Sequence, residues 1–190
     1  INDIFELVKK IRSLNNEIPV ILMGYYNSIF NIGIKKFTSK CVEVGVDGLI
    51  IVDLQPEEDD ELFLKTKENN IDLIRLITPT TDKERLKTIL NNASGFLYYV
   101  TITGITGQNS ANLKELESSI NLIRSESNLP IVAGFGIKSR KDVENISTFT
   151  DGVVVGSSIV NIIKDNISDK KSMLEKIDSF TKDLKRGTVS

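Results

Sequence analysis

Short apolar runs and amphipathic stretches alternate along the whole chain, and this alternation most narrows the folds open to it. Ile4, Leu7, Val8, Ile11 and Leu14 follow the helical period, and Pro19 then opens the run Val20-Ile21-Leu22-Met23. Ile34, Phe37, Cys41 and Val44 make a second stripe that Gly45 is placed to cap, and Leu49-Ile50-Ile51-Val52 follows, ending at Asp53. A polar helix is expected from near Pro56 to the Asn69-Asn70 pair, then a strand from Leu73 to Ile77 closed by Thr78-Pro79. Thr81-Asp82-Lys83-Glu84 has the pattern of a capping box for a helix carrying Leu86, Ile89 and Leu90. Phe96 to Val100 is the fourth strand, and Leu113, Leu116, Ile120 and Ile123 form the next stripe. A fifth strand starts at Pro130 and runs into "AGFGI", residues 133–137. Ser139 and Asp142 are placed to cap a short helix, and "DGVVVG", residues 151–156, is the sixth strand. Leu174, Ile177, Thr181 and Leu184 mark a last amphipathic helix.

Strands this short, apolar on both faces and separated by helices, belong in a parallel sheet covered by helices. An open doubly wound sheet that binds a dinucleotide carries a Gly-rich turn after its first strand, and none is present. A (β/α)₈ barrel gathers its chemistry at the carboxyl ends of the strands, often with phosphate held after the last two. Here glycine clusters follow the last three strands, which favours the barrel. About six β/α units are visible where a barrel has eight, so residues 1–190 are expected to be a single, incomplete barrel domain. Because Ile1 already stands within a helical pattern, the two further strands are expected on its amino side.

Composition removes several kinds of chemistry. The chain has no histidine, which excludes Ser-His and Cys-His nucleophiles and any His-ligated metal within it. Proton transfer then falls to carboxylates, tyrosine or lysine. The lone Cys41 lies in a helical stripe and is expected to be a structural thiol. Net charge is −2 with cations spread along the sequence, which gives no footprint for nucleic acid or an anionic membrane. No apolar run reaches membrane-spanning length, and the expected location is cytoplasmic.

The glycine clusters are Gly104-Ile105-Thr106-Gly107, Gly134-Phe135-Gly136 and Gly156-Ser157-Ser158. Each leaves backbone N–H groups unhindered, and Gly156-Ser157 also opens a helical turn whose dipole favours an anion. One cluster alone suggests a tight βα turn, whereas three at consecutive strand ends suggest a phosphate cradle. Asp53, at a strand end, has two readings: a carboxylate facing substrate, or a turn and capping residue before Pro56. Tyr25-Tyr26-Asn27 follows the first strand at the corresponding position, where one tyrosine would flank an aromatic substrate or both would pack. Tyr98 and Tyr99 must point to opposite faces of their strand. The acidic run Glu57-Glu58-Asp59-Asp60-Glu61 is expected to be a solvated helix start.

With these residues placed, the chain resembles the α subunit of tryptophan synthase. The matching stretches are Met23-Gly-Tyr-Tyr-Asn27, Gly45-Val-Asp-Gly-Leu-Ile-Ile-Val-Asp53, Gly104-Ile-Thr-Gly107, Gly134-Phe-Gly-Ile137 and Gly156-Ser157. The resemblance implies a (β/α)₈ lyase that cleaves indole-3-glycerol phosphate into indole and glyceraldehyde 3-phosphate in tryptophan biosynthesis. It implies an α2β2 assembly with a β subunit, and pyridoxal phosphate in that partner with no cofactor in this chain. Thr106, Gly107, Gly136, Gly156 and Ser157 would hold the phosphate, while Tyr25, Asp53, Tyr98 and Phe135 would surround the rest of the substrate. The segment "TITGITG" would be the lid, with Ile102 where the family usually has arginine, and Asp53-Leu54-Gln55-Pro56 replaces the usual Asp-Leu-Pro. The family's acid–base glutamate and indole-facing aspartate have no match here, which leaves Asp53 as the best remaining carboxylate. The 190 residues alone are therefore expected to be inactive. Two other readings are another phosphate-binding barrel enzyme, an isomerase or synthase, and a non-catalytic phosphate-binding or regulatory module.

Overall fold

A computed structural model describes residues 1–100, 110–134 and 136–188. The elements are α1 (Asn2–Leu14), β1 (Ile21–Gly24), α2 (Tyr26–Ile32), α3 (Ile34–Val44), β2 (Gly48–Ile51), α4 (Asp60–Glu68), β3 (Asp72–Leu73) and β4 (Arg75–Ile77). They continue with α5 (Lys83–Leu90), β5 (Leu97–Val100), α6 (Ser110–Glu126), β6 (Ile131–Gly134), α7 (Arg140–Ser147), β7 (Gly152–Val153), α8 (Ser157–Asp165) and α9 (Lys170–Lys185). One sheet has the order β1-β2-β3 and the other β4-β5-β6-β7. The pairs β1–β2, β2–β3 and β6–β7 are parallel. The chain divides into two compact units, Ile1–Leu76 with Asp82–Leu97, and Ile77–Thr81 with Tyr98–Ser190.

In the first unit, β2 is buried along nearly its whole length, as a strand covered on both faces must be. Phe5, Val8, Phe37, Cys41, Val44 and Leu49 belong to one core cluster, with the Phe5 and Phe37 rings 5.8 Å apart. Gly45 ends α3 in the left-handed region at φ 85°, and its N–H bonds Cys41 O at 3.0 Å. The strand expected from Leu73 to Ile77 is two pieces. At the break, Leu73 keeps its register with Leu49 of β2, while its own N–H donates to Ser94 Oγ and its carbonyl accepts from Ser94 N, so its other edge is bonded by a turn.

The helical stripe on α1 forms as expected, but it is buried on one side only. Phe5 and Val8 are buried, whereas Ile4, Leu7 and Leu14 are exposed, Leu14 at 88%. Val8 packs into the core, and the other side of the stripe lines an apolar groove of about 530 Å³ along β1, the outer strand of its sheet. The same holds for α9, where Leu184 is buried and Leu174 is exposed. The box at Thr81 is also shifted. Asp82 is the N-cap, accepting from Arg85 N at 2.8 Å, while Thr81 Oγ1 closes a turn by accepting from Thr78 N. The helix α2 has no counterpart among the expected elements, and the helical turn expected at Gly156-Ser157 is the start of a full helix, α8. The sixth strand shrinks to β7, although Val154 N still donates to Ala133 O at 2.9 Å.

One clasp occurs twice. Arg12 on α1 donates to Gly45 O, to Ile18 O and to the Asp47 carboxylate, which also accepts from Val20 N. Arg124 on α6 donates to Phe149 O and Asp151 Oδ2, and Asp151 Oδ2 accepts from Ile131 N. In each unit a helix arginine and an Asp-Gly entry to one strand hold a backbone N–H at the amino end of the strand before it, Val20 just ahead of β1 and Ile131 at the start of β6. The surrounding segments match as well, Ile11-Arg12-Ser13 with Pro19, and Ile123-Arg124-Ser125 with Pro130.

Candidate functional site

In the first unit, β1 and β2 run in register from Ile21↔Gly48 to Gly24↔Ile51, so their carboxyl ends finish side by side. Tyr25 follows β1 as the extended N-cap of α2 and is 64% exposed. Asp53 follows β2, is exposed, and accepts from Tyr26 N with Oδ1 at 2.8 Å. The two expected site residues of this unit are therefore brought together. Asp53 does cap, but it caps α2 across the strand pair and not the turn at Pro56. Tyr26 is the packing member of the tyrosine pair, lying against the core cluster with its ring 6.1 Å from Phe30. The signal that Asp53 holds α2 was absent from the local sequence, because donor and acceptor are 27 residues apart.

The acidic run is not uniformly solvated. Residues Pro56–Glu58 form a 3₁₀ turn, α4 begins at Asp60, and between them Asp59 is buried beside the equally buried Arg75. Asn92 Nδ2 donates to the other Asp59 oxygen at 3.3 Å. Burial pulls the Arg75 guanidinium down to about 10, which leaves it charged at neutral pH. Glu57 pairs with Arg85, which holds its carboxyl below the usual range. Sequence reasoning missed this pair. Its one visible signal was a lone charge, Arg75, inside the otherwise apolar Leu73 to Ile77.

In the second unit, β5 alternates as expected. Tyr99 is buried, with its hydroxyl bonded to Ser119, and Tyr98 takes the opposite face, half-buried. Burial raises both phenols above their ordinary range. At the end of β6, Gly136 stands at φ 72°, a conformation that favours glycine. Gly134 is held by contact, since a Cβ there would lie 2.5 Å from Val154 O. Gly156 is the N-cap of α8, and the helix ladder starts with Ile159 N on Gly156 O, so the Ser157 and Ser158 amides precede it. Ser158 Oγ donates to Ile137 O at 2.6 Å and ties the start of α8 to the loop after β6. Gly136 and Ser157 are the chain neighbours of those two bonded residues, so the structure brings together the Gly136 and Gly156-Ser157 parts of the expected cradle. Thr106, Gly107, Ile102 and Phe135 lie outside the described residues.

Cys41 is buried, and that burial pushes its thiol up to about 12, the behaviour of a core residue. Among the described residues, no helix is long and apolar enough to cross a membrane.

In the second unit the start of α8 can hold an anion, and in the first unit adjacent strand ends present a carboxylate and a tyrosine. The family model described as tryptophan synthase alpha chain matches residues 1–189. The tryptophan synthase alpha chain of Petrotoga mobilis is 45% identical over 184 residues, which is 94% of this chain and 71% of that one. A crystal structure of tryptophan synthase subunit alpha from Legionella pneumophila superposes with a TM-score of 0.87 at 34% identity, covering 98% of this chain and 68% of its own. A structure of the tryptophan synthase a2b2 complex from Pyrococcus furiosus gives 0.84 at 30% identity, over 95% of this chain and 71% of that one. The chain belongs to the tryptophan synthase alpha chain family of lyases, and its strands and helices are about six units of a (β/α)₈ barrel fold.

Proposed function

We propose that this chain binds indole-3-glycerol phosphate for cleavage to indole and glyceraldehyde 3-phosphate, in the cytoplasm and beside a pyridoxal-phosphate β subunit, with no cofactor of its own. The observation that carries the reading is the Ser158 Oγ to Ile137 O bond, which gathers Gly136 and the start of α8 into one anion-binding corner. Thr106 and Gly107 of the lid segment complete the phosphate set in this proposal, with Gly136, Gly156 and Ser157. Tyr25, Asp53, Tyr98 and Phe135 are assigned to the indole and glycerol portions.

The reaction is a retro-aldol cleavage. A proton is added at C3 of the indole ring, and the glycerol hydroxyl next to the scissile bond loses its proton. The carbon–carbon bond then breaks, its electron pair restores the aromatic ring, and the aldehyde leaves. Each proton transfer needs a group within hydrogen-bond reach. In this proposal Asp53 stabilises the ring as it becomes cationic, with its second oxygen toward substrate; the bond from Tyr26 N to its Oδ1 supports the reading. The family's acid–base glutamate has no counterpart in residues 1–190.

The test uses the whole gene product with indole-3-glycerol phosphate, alone and with a β subunit, following indole and glyceraldehyde 3-phosphate in equal amounts. Gly136→Asp places a carboxylate in the corner at a left-handed position that aspartate adopts more readily than most residues. It should abolish phosphate binding, and Gly136→Asn should retain part of it. No indole in the presence of a β subunit, or phosphate affinity unchanged by Gly136→Asp, overturns the proposal.

A further inference from the structure

The loop from Asp53 to Asp59 joins β2 to α4, and side chains from β4, α5 and the turn after α5 converge on it. At its start Asp53 Oδ1 holds Tyr26 N, and in its middle Arg85 donates to Gln55 and Glu57. At its end Asp59 meets Arg75 and Asn92. The holds differ in character. Arg85 and Glu57 are open to solvent and screened by salt, whereas the Asp59 and Arg75 side chains are 0% and 6% exposed. Asp59 occupies the N-cap position of α4, yet its carboxylate makes no capping bond there. Its acceptors point at Arg75 and Asn92 instead. A buried ion pair adds little stability over a well-packed apolar pair, so stability is a poor account of a charge placed at the start of β4. What such a pair does supply is a fixed point, because one arm of the Arg75 guanidinium fork meets one Asp59 oxygen while Asn92 holds the other, in a place closed to solvent.

We propose that Asp59 and Arg75 are positioning residues for Asp53. They fix the far end of the loop, so that the Asp53 carboxylate keeps its bond to Tyr26 N and its orientation toward substrate. The inference rests on the assignment of Asp53 to the substrate made above, and one of its readouts does not depend on activity.

Three variants of the whole gene product decide it: Asp59→Asn, Arg75→Lys, and the double replacement Asp59→Leu with Arg75→Met. Amide exchange at Tyr26 reports the Asp53 bond directly, with Val143 of α7 as an internal reference. Asp59→Asn is expected to speed Tyr26 exchange at least about tenfold relative to Val143, through local opening. It should lower kcat at least about tenfold and leave KM within about threefold. Arg75→Lys keeps the charge without the fork and should fall between this variant and the parent. The apolar double variant should recover the parent's melting temperature while Tyr26 exchange and kcat stay impaired. Unchanged Tyr26 exchange in both Asp59 variants overturns the proposal, and so does kcat recovering together with the melting temperature. If Asp59→Asn does not fold, the double variant carries both readouts. If the parent itself releases no indole, the functional assignment fails, and Tyr26 exchange still decides whether the pair holds the loop.

Discussion

Gly134→Ala, at the end of β6, and Gly156→Ala, at the start of α8, are the same chemical change, and the structure gives them opposite outcomes. A Cβ at Gly134 would lie 2.5 Å from Val154 O and 2.7 Å from Val154 Cβ, whereas a Cβ at Gly156 meets nothing within 4 Å. Ordinary contact needs about 3.5 Å, so β7 would have to retreat from β6 by roughly 1 Å. The obstacle is partly backbone and cannot rotate aside. That retreat would stretch the Val154 N to Ala133 O bond, now 2.9 Å, beyond hydrogen-bond range. Overpacking costs about 1–3 kcal/mol and the lost bond about 1 more, so Gly134→Ala should destabilise by about 2–4 kcal/mol. For a chain of this size that is a fall in Tm of roughly 5–15 °C. Gly156 stands at φ −116°, outside the left-handed region that favours glycine. Alanine there loses only the preference for glycine over alanine at an N-cap, less than about 1 kcal/mol. Thermal and urea unfolding followed by far-ultraviolet circular dichroism would measure both, with the urea m value checked for constancy. Equal losses in the two variants, or a Gly134→Ala protein melting within about 1 °C of the parent, would refute the contact argument.

Three further outcomes are expected. Asp53→Asn keeps an oxygen for Tyr26 N but removes the charge, so kcat should fall at least about tenfold with KM little changed; steady-state kinetics on the whole protein would show otherwise if KM carried the loss. Burial pushes the Asp151 carboxyl up, but bonds from Ile131 N and Arg124 outweigh it and hold the group below its ordinary 3.8. Its folded value is thus depressed, so its contribution is present above about pH 4 and is lost as pH falls through the folded value. The difference in urea midpoint between the parent and Asp151→Asn should accordingly be constant from pH 7 to 5 and narrow below pH 4, and a difference that persists at pH 2 would refute it. Cys41 is raised to about 12 by burial, so a thiol reagent at pH 8 should label it only at the rate of unfolding, and immediate labelling of native protein would contradict its core placement.

What the sequence disclosed was whatever depends on near neighbours. The helical stripe of α3, the glycine that ends it, the capping pair Ser139 and Asp142, and the turn opening at Gly156-Ser157 are all set by residues within a few positions of one another. Contacts across the fold were not legible in that way. Asp53 had two readings, one facing substrate and one serving the turn before Pro56, and neither showed that its Oδ1 accepts from Tyr26 N after the adjacent strand. Asp59 looked like one of five solvated acids until β4 delivered Arg75 to it. The stripe on α1 was legible as a pattern but not as burial, because periodicity states which residues share a face and not what covers it.

The doubled arginine–aspartate clasp has a consequence for how this fold can change over time. Both copies grip the amino ends of their strands, where Val20 and Ile131 enter the sheets, and fix strand register there. The residues that would touch substrate stand at the other ends of the same strands. Mutations around Tyr25 can therefore be sampled without loosening the register, and mutations in the clasp cost stability without retuning recognition. Directed evolution of the chain should find its tolerant positions at the carboxyl end of β1, whereas after β6 contact holds Gly134 and backbone conformation holds Gly136.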